Sequence, residues 1–238
     1  MKKIVSLLMS FVMVATILSP CYAQASEYSD YVKHSEATFV ENGKRYKVEE
    51  DLISRGDKIK TTSNFFTDEG VLIETQITTV DRSVGIVYFE NRNSDQELIN
   101  SESYRFDQIL ELTESDEETH DVFVTYSNDR GKFLRHEEYT INLTGKKATA
   151  LVVGSILAGV FAIAPEVGIS LGGKFVAAAT SVGLLGAGSI MPWNVRASVD
   201  VYSSPYRTGK HYTRFYGDFY TNDGEYITSL HWSKRGYH

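Results

Sequence analysis

The sequence predicts an α+β protein with an antiparallel β N-terminal domain, a central Gly/Ala-rich apolar helical hairpin and a C-terminal aromatic β hairpin. Three observations carry this prediction. Short β-type runs punctuated by turn residues fill residues 26–147. Residues 148–193 are almost free of charge, and ten aromatic side chains crowd into the last 41 positions.

The chain has 238 residues and a formal net charge of −7 from 24 basic and 31 acidic side chains. That length suffices for one large or two modest domains with a real core. Without a basic excess to hold phosphate backbones, nucleic acid is not an expected partner. A hydrophobic share of 42% and a charged share of 23% are ordinary globular values and argue against wholesale disorder. Cys21 stands alone, which excludes an intrachain disulfide framework and a thiolate metal cluster.

Residues 1–25 read as an address. Met1-Lys2-Lys3, an apolar run from Ile4 to Pro20 and the triplet Ala23-Gln24-Ala25 make a secretory signal peptide cleaved after Ala25, or after Ala23 as the alternative. The mature protein is then secreted, extracellular and free of cysteine. Proline before Cys21 does not match the small residue of a lipidation site.

Residues 26–147 hold 26 acidic and 15 basic side chains. Ala37–Glu41 and Lys44–Val48 flank Asn42-Gly43, a strong hairpin signal. Lys58–Phe66 and Val71–Val80 flank Asp68-Glu69-Gly70, and Ser83–Phe89 follows Asp81-Arg82. Val122–Tyr126 and Phe133–Leu143 flank Asn128-Asp129-Arg130-Gly131. Val71, Ile73, Thr75, Ile77 and Thr79 alternate at period two, as in a half-buried strand. Tyr104–Leu112 fits either a strand or a short helix. The whole is expected to be an antiparallel β domain with an acidic surface.

In residues 148–193 the charges are Glu166 and Lys174 alone, and 17 positions are Gly or Ala. Two helices are expected, Ala148–Ala164 and Phe175–Met191, with Glu166 and Lys174 at the hairpin tip. Each would be about 26 Å long, slightly short of a bilayer's roughly 30 Å core. Small residues recur every fourth position, Gly154, Ala158 and Ala162 in the first helix and Ala179, Gly183 and Ala187 in the second. That spacing forms one stripe through which helix backbones approach closely. In residues 194–238 Asp223-Gly224 joins two strands, with Tyr212, Tyr216 and Tyr220 sharing one face and Tyr226, Leu230 and Trp232 sharing another. Such rings either pack in the sheet or rest at a membrane interface.

A secreted chain with a latent apolar hairpin has the physical design of pore-forming bacteriocins and toxins. The likeness is one of design over 46 residues and carries no family motif. It implies a non-enzymatic, membrane-active antimicrobial whose acidic domain keeps it soluble. Its expected partners are target-cell membrane lipid, a surface receptor and an immunity protein. Lys146, Lys147 and Arg196 flank the hairpin on the side that would stay outside, against the positive-inside tendency, so insertion is expected only after release.

The competing chemistry is a serine esterase. Gly168-Ile169-Ser170-Leu171-Gly172 fits the G-x-S-x-G elbow, and acids followed by His231 allow the order Ser…Asp…His. The upstream hairpins and the missing oxyanion segment speak against it. Gly168 to Lys174 approaches a P-loop, but Phe175 stands where Mg²⁺ needs a hydroxyl. The histidines lack local metal-ligand spacing, so no metal or cofactor is expected. A third expectation is a cell-surface adhesion or assembly protein whose hairpin is a core element.

Overall fold

Turn chemistry and alternation build the first sheet. In the computed structural model, which describes residues 30–41, 44–116, 131–142, 146–147, 149–181, 190–191, 194–203, 211–221 and 223–236, six strands pair antiparallel in sequence order. They are β1 (Tyr31–Glu41), β2 (Lys44–Arg55), β3 (Lys58–Thr67), β4 (Leu72–Asp81), β5 (Ile86–Asn93) and β6 (Leu98–Arg105). Glu41 stands opposite Lys44, as the first expected hairpin requires. Between β3 and β4 Gly70 has φ +81°, a left-handed conformation that glycine adopts without Cβ strain. The Gly70 N–H bonds Thr67 O at 3.0 Å there.

The inner face of this sheet carries Val48 and Leu52 on β2, Ile59 on β3, Val80 on β4 and Val87 and Phe89 on β5, all buried. The alternation of β4 runs opposite to expectation. Gln76, Thr78 and Val80 face inward, while Ile73 is 40% and Val71 61% exposed. Register decides this, because Val80 pairs between Ile59 and Val87, two core residues.

The ambiguous segment contains both elements. A single helical turn, α1 (Phe106–Ile109), leads into β7 (Leu110–Asp116). β7 joins β8 (Lys132–Asn142), β11 (Asn194–Ser203), β12 (His211–Thr221) and β13 (Tyr226–Gly236) in a second antiparallel sheet of order β13-β12-β11-β8-β7. β9 (Lys146–Lys147) and β10 (Ile190–Met191) form a short ribbon. The expected strand Val122–Tyr126 lies outside the described residues.

These pairings correct the α+β class. The described residues are mostly β, with two large antiparallel sheets, the short ribbon and three short helices, rather than an α+β chain organised around a central apolar hairpin. The C-terminal aromatic strands are not a separate hairpin either. They are completed by β8 and β7, which precede the helices, because β11 pairs with β8 along ten positions.

The helices are α2 (Ala150–Val160) and α3 (Pro165–Ser181), so the turn falls at Phe161–Ala164 and not at 165–174. Thr149 caps α2 by accepting the Val152 N–H at 3.2 Å. At the other end Ile163 N–H bonds Ala158 O at 3.0 Å and Ala162 has φ +49°, a Schellman-type stop with alanine where glycine is usual. Pro165 then opens α3, where its missing N–H costs nothing. The expected second helix therefore begins ten residues too late: Ile190–Met191 is strand, and residues 182–189 lie outside the described set.

α2 and α3 lie between the sheets, α2 against the first and α3 against the second. A bare Cβ on Gly159 of α2 would meet Val80 of β4, and Phe175 of α3 packs edge-on against Phe219 of β12 with ring centroids 5.9 Å apart. One hydrophobic cluster joins the three layers, with Leu52 and Val80 below, Leu151 and Ile156 between, and Val199 and Phe219 above.

Candidate functional site

The helix pair is the first candidate. Nine consecutive residues of α2, Leu151–Gly159, are buried. The one polar side chain among them, Ser155, donates to Val152 O of its own helix at 2.8 Å. α2 thus needs no polar partner along its length. Its stripe Gly154 and Ala158 does make the close crossing, but against Gly168 and Gly172 of α3. A Cβ on Gly168 would stand 2.5 Å from Gly154 O, and one on Gly172 would stand 2.4 Å from Gly154 N. Ala162 belongs to the turn, Ala179 lies on α3, and Gly183 and Ala187 fall outside the described residues. Glu166 sits in the first turn of α3 and Lys174 two turns on, exposed, so they do not share a tip. Glu166 is placed where a helix N-terminus favours negative charge.

Polar anchors hold the entrance to α2. Glu50, on the inner face of β2 and 3% exposed, accepts from Ser63 Oγ at 2.7 Å and from Thr149 Oγ1 at 2.5 Å. The Leu151 N–H also bonds this carboxyl. Burial pushes the Glu50 carboxyl above its ordinary value, and the three donors oppose that shift only in part. Beside it the Gln76 side-chain amide pairs with Lys147 in both directions, its Nε2 to Lys147 O at 3.4 Å and its Oε1 from Lys147 N at 3.3 Å. Lys147 Nζ lies 2.5 Å from Glu74 Oε2 and 4.1 Å from the Phe65 ring centroid. Sequence reading missed Glu50. Its one signal is an acid at an inward-facing position between Val48 and Leu52.

The second candidate is the outer face of the second sheet. β8 and β11 place His136 between two carboxylates, with Nδ1 2.8 Å from Asp200 Oδ1 and Nε2 3.0 Å from Glu138 Oε1. Ser198 Oγ lies 3.4 Å from the same Nε2. Ser198, His136 and Asp200 have the outline of a catalytic triad. Yet the Asp200 bond above all, helped by Glu138, raises the His136 pKa and favours imidazolium, which cannot take a serine proton. Both strands are also paired on both sides, so their N–H groups are committed to ladders rather than aimed at an oxyanion. The cluster is an ion-pair and hydrogen-bond surface.

Rings flank it. Phe133 meets Tyr202 edge-on at 5.5 Å, Tyr202 meets Tyr216 at 5.5 Å, and Tyr216 stacks on His231 at 6.1 Å. At the other end Tyr220 meets Tyr226 at 5.8 Å. Tyr212 lies on β12 beyond this row. Tyr226 does not share a face with Leu230 and Trp232. A register shift between Phe219 and Tyr220 puts Tyr226 opposite Tyr220 on the outside, 50% exposed. Trp232 faces the core, 4% exposed and stacked on Phe215 at 5.4 Å, so it is no interfacial ring.

Ser170 lies inside α3, not on a strand-to-helix elbow, and His231 stands exposed on the outer face of β13. The nucleophile geometry expected at Gly168–Gly172 is absent, because both glycines serve helix packing. Among the described residues no group of three or more His, Cys, Asp or Glu side chains is arranged to hold a metal ion. Compared with protein-family models, curated proteins and solved structures, the chain matches none of them.

Proposed function

We propose that this is a secreted, non-enzymatic, bacteriocin-like antimicrobial that acts on target-cell membranes through the α2–α3 pair. The observation that supports the reading is that α2 buries nine residues in a row, all of its own polar groups being satisfied within the helix or at its capped entrance. Such a helix gives up few hydrogen bonds on moving from a protein core to lipid, those from Thr149 and the Leu151 N–H to Glu50 at its entrance being the ones broken. In the released protein the two sheets sheathe it and keep the chain soluble.

Among the described residues no helix is long and apolar enough to cross a membrane. At 1.5 Å per residue α2 reaches about 16 Å and α3 about 26 Å, against a hydrocarbon core of roughly 30 Å. The proposed action is therefore entry of the pair part-way into a bilayer, enough to disturb it, with Glu166 and Lys174 held at the interface because burying either costs about 3 kcal/mol. A surface receptor and an immunity protein are the partners this activity implies.

Incubating the mature chain with dye-loaded anionic and zwitterionic liposomes tests the reading. Dye release is expected, together with a change in emission from Trp232 as the core opens (in a Trp193→Phe background). Full dye retention at every pH from about 4 to 8, with Trp232 emission unchanged, would overturn it. Cell attachment without leakage would instead support the adhesion reading, in which α2 is a core element alone.

A further inference from the structure

We infer that the polar seat under the entrance to α2, centred on Glu50, is a proton-operated latch: the protonated carboxyl holds the helix on the first sheet, and the ionised one lets it go. This rests on the reading of the α2–α3 pair as the membrane-active element and adds what governs its release.

The seat is a row across the sheet. Glu50 of β2 stands opposite Ser63 of β3, which stands opposite Gln76 of β4, and all three are buried. Apolar side chains bound the row, with Val48 and Phe65 on one side and Leu52 on the other. The chain from Lys147 to Leu151 crosses it. Gln76 bonds the Lys147 backbone in both directions, and Glu50 accepts from the Thr149 hydroxyl and the Leu151 N–H. From Leu151 to Gly159 the helix is buried, and Ser155 bonds within it. α2 is thus fastened to the first sheet by hydrogen bonds at one end and by apolar contact along its length.

Within this seat the carboxyl is the group that changes charge. On β1, Ser35 stands opposite Glu50, and Lys33 follows on the same face, exposed. Lys147 Nζ is engaged by Glu74 at 2.5 Å, and Lys174 of α3 is exposed. Burial acts first on Glu50 and disfavours its charge, while the Thr149, Ser63 and Leu151 donors oppose this. Lifting α2 uncovers the carboxyl, which then titrates near its ordinary 4.5. Opening therefore releases a proton wherever the closed form still holds one. Above pH 4.5 the opening constant should grow by up to about tenfold per pH unit, until the closed form ionises as well. Acid keeps the helix sheathed, and the approach to neutrality favours its release.

The first test needs no lipid. Amide exchange of Leu151–Gly159, converted to opening constants, is compared at about pH 5 and about pH 6.5, below the range in which His34 and His136 lose their contributions. The constants should rise at least about threefold in the wild type and by less than that in Glu50→Gln, whose side chain does not titrate. A smaller rise in the wild type, or an equal one in Glu50→Gln, would overturn the latch. Ser63→Ala covers the case in which Glu50→Gln fails to fold. It removes one donor and keeps the carboxyl, so the Glu50 carboxyl-carbon NMR titration should move to higher pH; an unchanged or lower midpoint would also overturn it. Dye release from phosphatidylcholine vesicles should rise over the same interval in the wild type and stay level in Glu50→Gln. Equal wild-type release at both pH values would overturn the latch and leave membrane action standing. No release at either, with exchange behaving as expected, would count against membrane action and support the latch alone.

Discussion

Glu50 on β2 accepts a hydrogen bond from the hydroxyl of Thr149, the N-cap of α2, across ninety-nine residues of chain. Ser63 Oγ and the Leu151 N–H meet the same carboxyl. One buried side chain thus joins two strands of the first sheet to the helix that the proposed activity releases. Glu50→Ala leaves three buried donors without an acceptor and should cost about 3 kcal/mol in urea unfolding. Glu50→Gln keeps one acceptor oxygen and should cost markedly less. Equal losses for the two variants would mean that volume, and not hydrogen bonding, is what Glu50 supplies.

Stability should fall as pH rises through neutrality. Burial raises the Glu50 pKa, Asp51 and Glu36 raise that of His34, and Asp200 and Glu138 raise that of His136. Each folded value lies above its unfolded one, so each contribution is whole at low pH and is lost as pH climbs through the folded value. For Glu50 the loss begins above the ordinary 4.5, and for the histidines above 6.5. Asp81, lowered chiefly by the Ser83 hydroxyl, works the other way and loses its contribution only as pH falls below its ordinary 3.8. The melting temperature should therefore peak at about pH 4 to 5. His136→Gln should flatten the neutral-to-alkaline limb, and Glu50→Gln the part below it. A wild-type melting temperature that climbs steadily from pH 6 to 9 would contradict this ordering.

Ala162 is an alanine in a glycine's place. Its φ of +49° follows from the Schellman-type stop that ends α2. A side chain in that conformation costs roughly 1–2 kcal/mol. Ala162→Gly should stabilise the protein by about 1 kcal/mol after the entropy of the freer unfolded chain is counted, or about 2–4 °C in thermal melting. A lower melting temperature would show that the Ala162 methyl contributes packing that offsets its backbone strain.

Much of the first sheet was legible in the sequence because its turns are local. Asp68-Glu69-Gly70 marks the β3–β4 hairpin within a few residues, as Asp223-Gly224 marks the β12–β13 hairpin of the second sheet. The faces were less legible. In β4 two alternating sets, one apolar and one rich in threonine, compete for the core, and only the neighbours Ile59 and Val87 settle it. The pairing of β8 with β11 spans the helices and leaves no local trace. The helix boundaries failed because proline and glycine were read as breakers. Pro165 begins a helix, and Gly168 and Gly172 lie inside one. The His136 cluster was missed for a similar reason: Asp200 and His136 are 64 residues apart, and only register brings them together.

The paired glycines Gly172-Gly173 separate the two meanings of glycine within one helix. A Cβ on Gly172 would lie 2.4 Å from Gly154 N and 2.6 Å from Ala150 O, both backbone atoms that cannot turn aside. A Cβ on Gly173 would meet nothing within 4 Å. Gly172→Ala should push α3 off α2 and cost about 3 kcal/mol, the upper range for overpacking. Gly173→Ala should instead gain about 1 kcal/mol from helix propensity. Because the residues are adjacent and the substitution identical, chain entropy and hydrophobicity cancel in the comparison. The difference of about 4 kcal/mol then measures the close crossing itself, and denaturant midpoints of the two variants would read it. Equal effects would mean that the helices can part at little cost. The pair would then behave as two loosely packed elements, and not as the single tight unit that the proposed membrane entry requires.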